Sequence, residues 1–290
     1  MKLAIADQGA PAFDLVRSFS LEITAKDVES LFDAAPLIPN GTPISVTYLP
    51  SEDMDSRVTA ARAAKSLGFT PMPHISARRI PSRNDLAGFL AALDEHVGIE
   101  RAFVIAGDPA TPMGPYEDAL AVIRSGLLDG HGIRTIGISG YPEGHPEISD
   151  SKLMKAMKDK LEALAERDKA AEIMTQFAFD SDAILAWLER IRQEGIIAPV
   201  RIGVPGPASV TKLIRFAARC GVGASTKVLL KYGASITRLL STAGPERLID
   251  TLAERLDTSR HGEIMLHFYP FGALVDTARL IDDRYGTNLA

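Results

Sequence analysis

The sequence predicts a closed (β/α)8 barrel, and three observations lead to this fold class. Short apolar runs rich in β-branched residues recur eight times, and each is followed by a longer segment with the apolar spacing of a helix. Many of these runs lack polar alternation, as expected for parallel strands covered on both faces. A length of 290 residues suits one barrel, since such barrels commonly have about 250 residues. We therefore predict a single β/α barrel domain over residues 1–290.

The eight predicted strands are distributed along the whole chain. Eight strand and helix units in alternation favour closure into a barrel over an open doubly wound sheet. The predicted strands cover residues 17–23, 43–48, 71–76, 101–108, 135–142, 172–180, 200–207 and 263–269.

The segments between the strands have amphipathic patterns with recognisable starts. Ser51 and Ser82 each precede such a pattern, and a serine there can cap the exposed amides of the first turn. Each predicted helix ends near a glycine. Two connections are long: a charged stretch over residues 146–172, and residues 207–263, which have room for about three helices. We interpret the second as an enlarged insertion before the last strand.

The composition is that of a folded, water-soluble protein. Apolar residues make up 46% and charged residues 24% of the chain, and the net charge of −5 is spread without a long run of one sign. This pattern argues against disorder, and the lack of a basic patch argues against nucleic acid or a membrane as partner. The one cysteine, Cys220, can form no internal disulfide, and no apolar stretch suits a signal peptide or membrane span. We expect a cytoplasmic homo-oligomer.

Polar residues at the predicted strand ends are the functional candidates, because β/α barrels carry their active sites at the C-terminal ends of the strands. Glu22 lies in an otherwise apolar run, where burial would raise the pKa of its carboxyl toward the range of a general acid. The alternative is a glutamate at the rim that meets water or a lysine. Asp108 follows Gly107, where the backbone can approach a ligand closely, although Gly-Asp-Pro is also an ordinary turn.

His74 and the loop after the fifth strand are further candidates. His74 suits either a cofactor site or a structural hydrogen bond, and a metal role is not predicted because HExxH and CxxC spacings are missing. In the loop over residues 141–147, two prolines stiffen a segment that presents Tyr141, His145 and two carboxylates. Such a loop over a barrel mouth predicts ligand binding.

Gln176 lies within the sixth predicted strand, where its amide can bind either a polar ring system or a neighbouring side chain. The sequence contains neither GxGxxG nor GxxxxGKS, so a Rossmann dinucleotide site and a P-loop are not supported. GxSxG is also missing, which leaves hydrolase chemistry without a nucleophile motif.

Taken in order, the strand-end motifs resemble those of the methylenetetrahydrofolate reductases, a family of flavin enzymes on a β/α barrel. The resemblance extends along nearly the whole chain, and YPEGHPE followed by TQxxFD is its most specific part. The matching segments are SLE at residues 20–22, SVTY at 45–48, PHIS at 73–76, AGDP at 106–109, ISGYPEGHPE at 138–147, TQFAFD at 175–180 and LHFY at 266–269.

This resemblance implies FAD bound non-covalently at the barrel mouth, NADH or NADPH as co-substrate and a reduced folate as substrate. It also implies that Glu22 is the general acid that opens the methylene bridge, that Asp108 is a carboxylate beside flavin and pterin, and that Gln176 orients the folate ring. The implied flavin contacts are Thr47, Tyr48, His74, Gly107, Asp108, Tyr116, Tyr141, His145 and Lys160.

The chain departs from the family pattern mainly on the folate side. Residues 23–27 read ITAKD in place of a proline-rich aromatic stretch, and Ala106 stands where arginine is usual. Residues 270–273 lack the arginine that follows LHFY and contacts folate in the family. The expected substitutes that would hold the folate tail are cations of the insertion, namely Lys227, Lys231 and Arg238.

The predicted reaction is the interconversion of 5,10-methylenetetrahydrofolate and 5-methyltetrahydrofolate with NAD(P)H in the reductive direction. One alternative is a related flavin barrel that acts on another substrate. A second is a non-catalytic subunit that binds folate or flavin and regulates a partner enzyme.

Overall fold

A computed structural model describes residues 15–219 and 242–286, and it confirms the predicted barrel. Eight parallel strands form a closed ring in which sequence neighbours pair and the last strand pairs with the first. The strands are β1 (Ser20–Ile23), β2 (Pro43–Val46), β3 (Thr70–Ser76), β4 (Arg101–Ile105), β5 (Thr135–Gly140), β6 (Ala170–Phe177), β7 (Val200–Pro205) and β8 (Ile264–Tyr269).

Helices connect successive strands around the barrel. In the described parts of the chain they are α1 (Val28–Ala34), α2 (Met54–Ser66), α3 (Arg83–Val97), α4 (Ala119–Arg124), α5 (Asp150–Ala165), α6 (Ser181–Gln193), α7 (Val210–Arg219), α8 (Glu246–Arg255), α9 (Thr258–His261) and α10 (Leu274–Tyr285). None of the helices in these two ranges has the length and apolar character needed to cross a bilayer.

The helix starts agree with one of the two predicted serine caps. Ser82 caps α3, because its hydroxyl accepts a hydrogen bond from the amide of Asp85 over 3.1 Å. The prediction for Ser51 is wrong. Asp53 caps α2 instead and accepts a hydrogen bond from the amide of Ser56 over 2.8 Å. Ser51 lies two residues further from the helix, outside the range of its first-turn amides.

Several strands end earlier than the apolar runs predict. Residues 47–48, 106–108 and 178–180 lie in the loops that follow β2, β4 and β6. The run after β6 extends past the strand because Ala178 and Phe179 are buried at the rim although they lie outside the ladder. Many of the candidate site residues are therefore on loops over the C-terminal ends of the strands, which we call the barrel mouth.

The insertion between β7 and β8 contains α7, α8 and α9 within the described residues, in agreement with the predicted enlargement. It also contains a two-stranded antiparallel sheet in which Ala208 pairs with Ala243 and Ser209 with Thr242. This sheet joins the start of the insertion, just after β7, to a later part of it.

The barrel interior differs from the layer between strands and helices. Outward-facing strand residues and helix residues form one large apolar cluster. Inside the barrel, Met72, Phe103 and Met174 form a small separate cluster. Toward the N-terminal ends of the strands, Glu172 pairs with Arg101 over 3.2 Å and with Arg201 over 2.9 Å. Charged side chains thus fill the N-terminal end of the interior, and a ligand has to enter at the mouth.

Candidate active site

Glu22 lies on β1 next to two polar side chains of the neighbouring strands. In the barrel register Glu22 is beside Ser45 of β2. Glu22 Oε2 lies 3.6 Å from His74 Nε2 of β3, and the same ring nitrogen is 2.6 Å from Ser45 Oγ. Strands β1 to β3 therefore bring together three side chains that are spread over 52 positions of the sequence.

The carboxyl group of Glu22 holds its proton at neutral pH. Burial raises the pKa of Glu22 to about 8, and the negative charge of Asp27 acts in the same direction. About 20% of the side chain remains exposed, so the acid can still reach a ligand. A buried carboxyl with a raised pKa is the arrangement that general acid catalysis requires.

His74 is a neutral neighbour for this acid. Burial, followed by the positive charge of Arg57, lowers the pKa of His74 to about 3. The contact between His74 and Glu22 is therefore one between two uncharged groups, not an ion pair. Two contacts hold Arg57 in place. It donates a hydrogen bond to the backbone carbonyl of His74, and its guanidinium carbon lies 4.6 Å from the ring centre of Phe89.

Asp108 sits on the rim in an ion pair that the sequence did not reveal. Arg79 Nε donates to Asp108 Oδ1 over 2.9 Å, and Arg79 Nη2 donates to both carboxylate oxygens over 2.7 Å. The guanidinium also covers the ring of Tyr48, with 4.9 Å to its centre. The Asp108 side chain is 75% exposed, so its outer side remains open to a ligand. Tyr48 and Asp108 are thus linked through Arg79.

Gly107 precedes this aspartate in a conformation that favours glycine. Its φ is +87°, and a Cβ at this position would lie 3.4 Å from the Cβ of Ser76. A side chain here would be strained and would narrow the mouth between β3 and β4. The backbone at Gly107 therefore passes close to the C-terminal end of β3.

The loop over residues 141–147 is fastened to the end of β6. The rings of Tyr141 and His145 meet edge to face with 5.5 Å between their centres. Glu143 Oε1 accepts hydrogen bonds from the amides of Phe179 and Asp180 over 2.8 and 2.9 Å. Sequence reasoning treated this glutamate as one of two loop carboxylates and missed its anchoring role, because its partners are 36 and 37 positions away.

The side-chain amide of Gln176 forms only part of its possible hydrogen bonds within the described residues. Its Oε1 accepts a hydrogen bond from the amide of Phe177 over 3.0 Å. Among the described residues, its Nε2 has no hydrogen-bond partner, and the side chain is half-buried. The pairing of β6 with β7 shifts register between Met174 and Phe177, so the ladder is irregular at this point. The amide is available to a ligand in the mouth.

Tyr116 and Lys160 are buried polar groups on the segments beside β4 and β5. The hydroxyl of Tyr116 is fully buried and has no hydrogen-bond partner within the described ranges. Burial lowers the pKa of Lys160 to about 8, and the carboxylate of Asp118 opposes this shift. The lysine therefore stays charged at neutral pH. A buried donor without a partner is unfavourable unless a ligand supplies an acceptor.

An aromatic cluster that the sequence reasoning did not identify lies at the ends of β6 and β8. It consists of Phe177, Tyr269, Phe271 and Phe216 of α7, and the rings of Phe216 and Phe271 stack with 4.3 Å between their centres. Only the LHFY motif indicated this cluster in the sequence, because Phe216 belongs to the insertion and is far from the motif along the chain.

The expected tail-binding cations Lys227, Lys231 and Arg238 lie outside the described residues. In the part of the chain that is described, no three His, Cys, Asp or Glu side chains converge as metal ligands.

Comparison with known proteins places the chain in a family. The family model for methylenetetrahydrofolate reductase matches residues 16–271. Methylenetetrahydrofolate reductase 2 of Saccharomyces cerevisiae is 28% identical over 178 residues, which are 56% of this chain and 27% of the yeast protein. Methylenetetrahydrofolate reductase 1 of Schizosaccharomyces pombe is 34% identical over 89 residues, which are 30% of this chain and 14% of that protein.

A plant relative and a solved structure complete the comparison. Methylenetetrahydrofolate reductase (NADH) 1 of Arabidopsis thaliana is 26% identical over 138 residues, or 42% of this chain and 23% of that protein. The matched segments thus cover between 14% and 27% of the length of these relatives. Dihydropteroate synthase from Thermus thermophilus aligns over its full length with 96% of the chain, at 14% identity and a TM-score of 0.48, which is too weak to bear on function. Because the family model covers most of the chain and every candidate site residue, this protein belongs to the methylenetetrahydrofolate reductase family.

Proposed function

We propose that this protein is a FAD-dependent oxidoreductase that interconverts 5,10-methylenetetrahydrofolate and 5-methyltetrahydrofolate, with NADH or NADPH as electron donor in the reductive direction. The observation that carries the proposal is the protonated Glu22 at the mouth of a barrel of this family. An acid with a pKa of about 8 is well matched to protonating an amine nitrogen near neutral pH.

Glu22 supplies the proton in this scheme. In the reductive direction its carboxyl protonates one nitrogen of the methylene bridge, the bond from that nitrogen to the bridging carbon breaks, and an iminium forms at the other nitrogen. A bound flavin, once reduced by NADH or NADPH, would supply the hydride that this carbon accepts. The neutral His74 keeps Glu22 protonated. A charged imidazole at 3.6 Å would favour the ionised carboxylate and would lower the pKa of Glu22, so that the proton would be lost before substrate binds.

The residues at the mouth fit a flavin dinucleotide. The buried hydroxyl of Tyr116 needs an acceptor, and Lys160 carries a charge that suits a diphosphate. Gly107 leaves room for close approach of the backbone. The other residues proposed to contact the cofactor are Thr47, Tyr48, His74, Asp108, Tyr141 and His145. Gln176 is proposed to orient the pterin ring through its unpartnered amide nitrogen.

The test is a visible spectrum of the purified protein, followed by anaerobic addition of 5-methyltetrahydrofolate. We expect about one non-covalent FAD per chain, released on denaturation, and bleaching of its absorbance by the folate. A colourless protein that also fails to take up added FAD would remove the flavin assignment. Bleaching by NADH or NADPH but not by the folate would instead favour a flavin barrel that acts on another substrate.

A further inference from the structure

The sixth strand contains a β-bulge near its end at the mouth. Two consecutive pairs of β6 with β7 are Met174 with Arg201 and Phe177 with Gly203, so the pairing advances by three residues on β6 but by two on β7. One extra residue of β6 is therefore inserted between these pairs, and Gln176 lies in the inserted segment. Bulges of this kind bend a strand and re-aim a side chain, and they are common beside active sites.

Two side-chain hydroxyl groups stabilise the backbone of this bulge. Thr175 Oγ1 accepts a hydrogen bond from the amide of Gly203 over 2.8 Å. The hydroxyl of Tyr269, at the end of β8, donates to the backbone carbonyl of Thr175 over 2.9 Å. Thr175 is fully buried, and a buried backbone group without a partner is unfavourable. The two hydroxyls therefore satisfy backbone groups at the point where the ladder is irregular.

The three strands that meet at the bulge approach one another closely. A Cβ on Gly203 would lie 2.6 Å from the carbonyl oxygen of Thr175 and 2.7 Å from Cε2 of the Tyr269 ring. Both distances are well below the ordinary contact distance of about 3.5 Å between carbon atoms. Only glycine fits at this position of β7, and the bulge is held between β7 and β8.

The bulge also sets the orientation of the Gln176 side chain. The amide of Phe177 donates a hydrogen bond to Gln176 Oε1 over 3.0 Å. A backbone amide can only donate, so it selects the oxygen of the side-chain amide and turns the NH2 group away from the strand. This backbone amide belongs to the bulge, since a Cβ on Gly203 would lie 2.8 Å from its nitrogen. A change in the bulge would therefore move the atom that orients Gln176.

We propose that Thr175 and Tyr269 are positioning residues, whose hydroxyl groups hold the bulge of β6 and thereby aim the side-chain amide of Gln176 at the substrate. This inference rests on the proposed function, in which Gln176 orients the pterin ring. Thr175 has no exposed surface with which it could touch a ligand, so it acts through Gln176.

The first measurement is the affinity of two Thr175 variants for 5-methyltetrahydrofolate. Thr175→Val removes the hydroxyl and Thr175→Ser keeps it. Isothermal titration calorimetry is done anaerobically on the purified protein after reduction with dithionite, so that no hydride transfer accompanies binding. We expect Thr175→Val to raise the dissociation constant about three- to tenfold, the scale of one hydrogen bond to the ligand, and Thr175→Ser to stay near the wild type. An unchanged dissociation constant in Thr175→Val would overturn the inference.

The decisive measurement is a double-mutant cycle with Gln176→Ala. If Thr175 acts through Gln176, adding Thr175→Val to Gln176→Ala should change the dissociation constant by less than about twofold. The same rise in both backgrounds would show that Thr175 supports the strand independently of Gln176, and the inference would be wrong. Tyr269→Phe removes only the second hydroxyl and goes through the same cycle. Its result decides the question if Thr175→Val does not fold.

Thr42→Val is the matched control. Thr42 is a buried threonine directly before β2, at the N-terminal end of the barrel, and its hydroxyl donates to the carbonyl of Pro39 over 2.7 Å. The substitution removes a similar buried hydrogen bond away from the mouth, so the dissociation constant should not change in either background. A rise like that in Thr175→Val would mean that a general loss of stability weakens binding, which would also overturn the inference.

The proposed reaction is tested separately by bleaching of the oxidised flavin. Coupling between Thr175 and Gln176 without bleaching in the wild type would support the bulge and remove the reaction. Bleaching in the wild type with independent effects of the two substitutions would do the reverse. A wild type that does not bind 5-methyltetrahydrofolate would remove both.

Discussion

Each end of the barrel contains a glutamate with little exposure to solvent, and the two glutamates differ in whether a cation lies next to them. At the N-terminal end Glu172 is only 3% exposed and lies between two guanidinium groups, those of Arg101 and Arg201. At the mouth Glu22 lies 3.6 Å from the neutral His74, and burial, followed by the negative charge of Asp27, raises the pKa of Glu22 to about 8. A buried charge is tolerated where it is paired, and a carboxyl without a cation keeps its proton. The paired carboxylate of Glu172 therefore has a structural role, whereas the carboxyl group of Glu22, which has no cationic partner among the described residues, stays protonated.

The largest effect should come from breaking the paired end. Glu172→Ala leaves two cations in the barrel interior without their partner, and we expect a loss of about 3–5 kcal/mol in the free energy of unfolding. Urea denaturation would measure it. Glu166→Ala, which alters an exposed glutamate at the end of α5, should change stability by less than about 0.5 kcal/mol. A small effect of Glu172→Ala would mean that water already solvates the N-terminal end of the interior.

The next effect concerns the acid at the mouth. Glu22→Gln replaces a protonated carboxyl by a group of similar shape, so flavin content should be retained while the folate half-reaction slows by about two or more orders of magnitude. Reduction of the flavin by nicotinamide should be unchanged. Stopped-flow measurement of the two half-reactions would show this difference. If both slowed equally, Glu22 would have a structural or flavin-positioning role.

The smallest predicted effect is a dependence of stability on pH. Because the pKa of Glu22 is raised from 4.5 to about 8 in the folded protein, its contribution to stability is complete below about pH 4.5 and is lost as pH rises toward 8. His74 acts in the other direction, since its pKa is lowered to about 3, and its contribution is lost as pH falls below about 6.5.

Between about pH 6.5 and 8 the contribution of Glu22 therefore dominates over that of His74. The stability of Glu22→Gln relative to the wild type should increase by roughly 1–2 kcal/mol across this window. Denaturant titrations at several pH values would measure the difference. A constant difference between the two proteins would show that Glu22 is ionised throughout and would contradict its assignment as the acid.

Local patterns were sufficient to predict the barrel. Eight apolar runs alternate with amphipathic segments, and hydrophobic periodicity depends on residues only a few positions apart. Because these patterns are local, they do not determine exactly where a helix begins or a strand ends. Ser51 and Asp53 are both good helix caps, and the choice between them depends on where the chain enters α2. Phe179 continues an apolar run but lies beyond the ladder, because burial at the rim does not require strand pairing.

The sequence by itself determined the fold class, the family and the identity of the strand-end candidates, because each depends on residue types in a fixed order. Only the tertiary structure decided the charge states and partners at the mouth. The proton on Glu22 depends on burial by other strands, and the ion pair of Asp108 depends on Arg79, which is 29 positions away. The anchoring role of Glu143 depends on amides 36 and 37 positions away. Electrostatic interactions depend on distance and solvent exposure in space, which spacing along the chain does not specify.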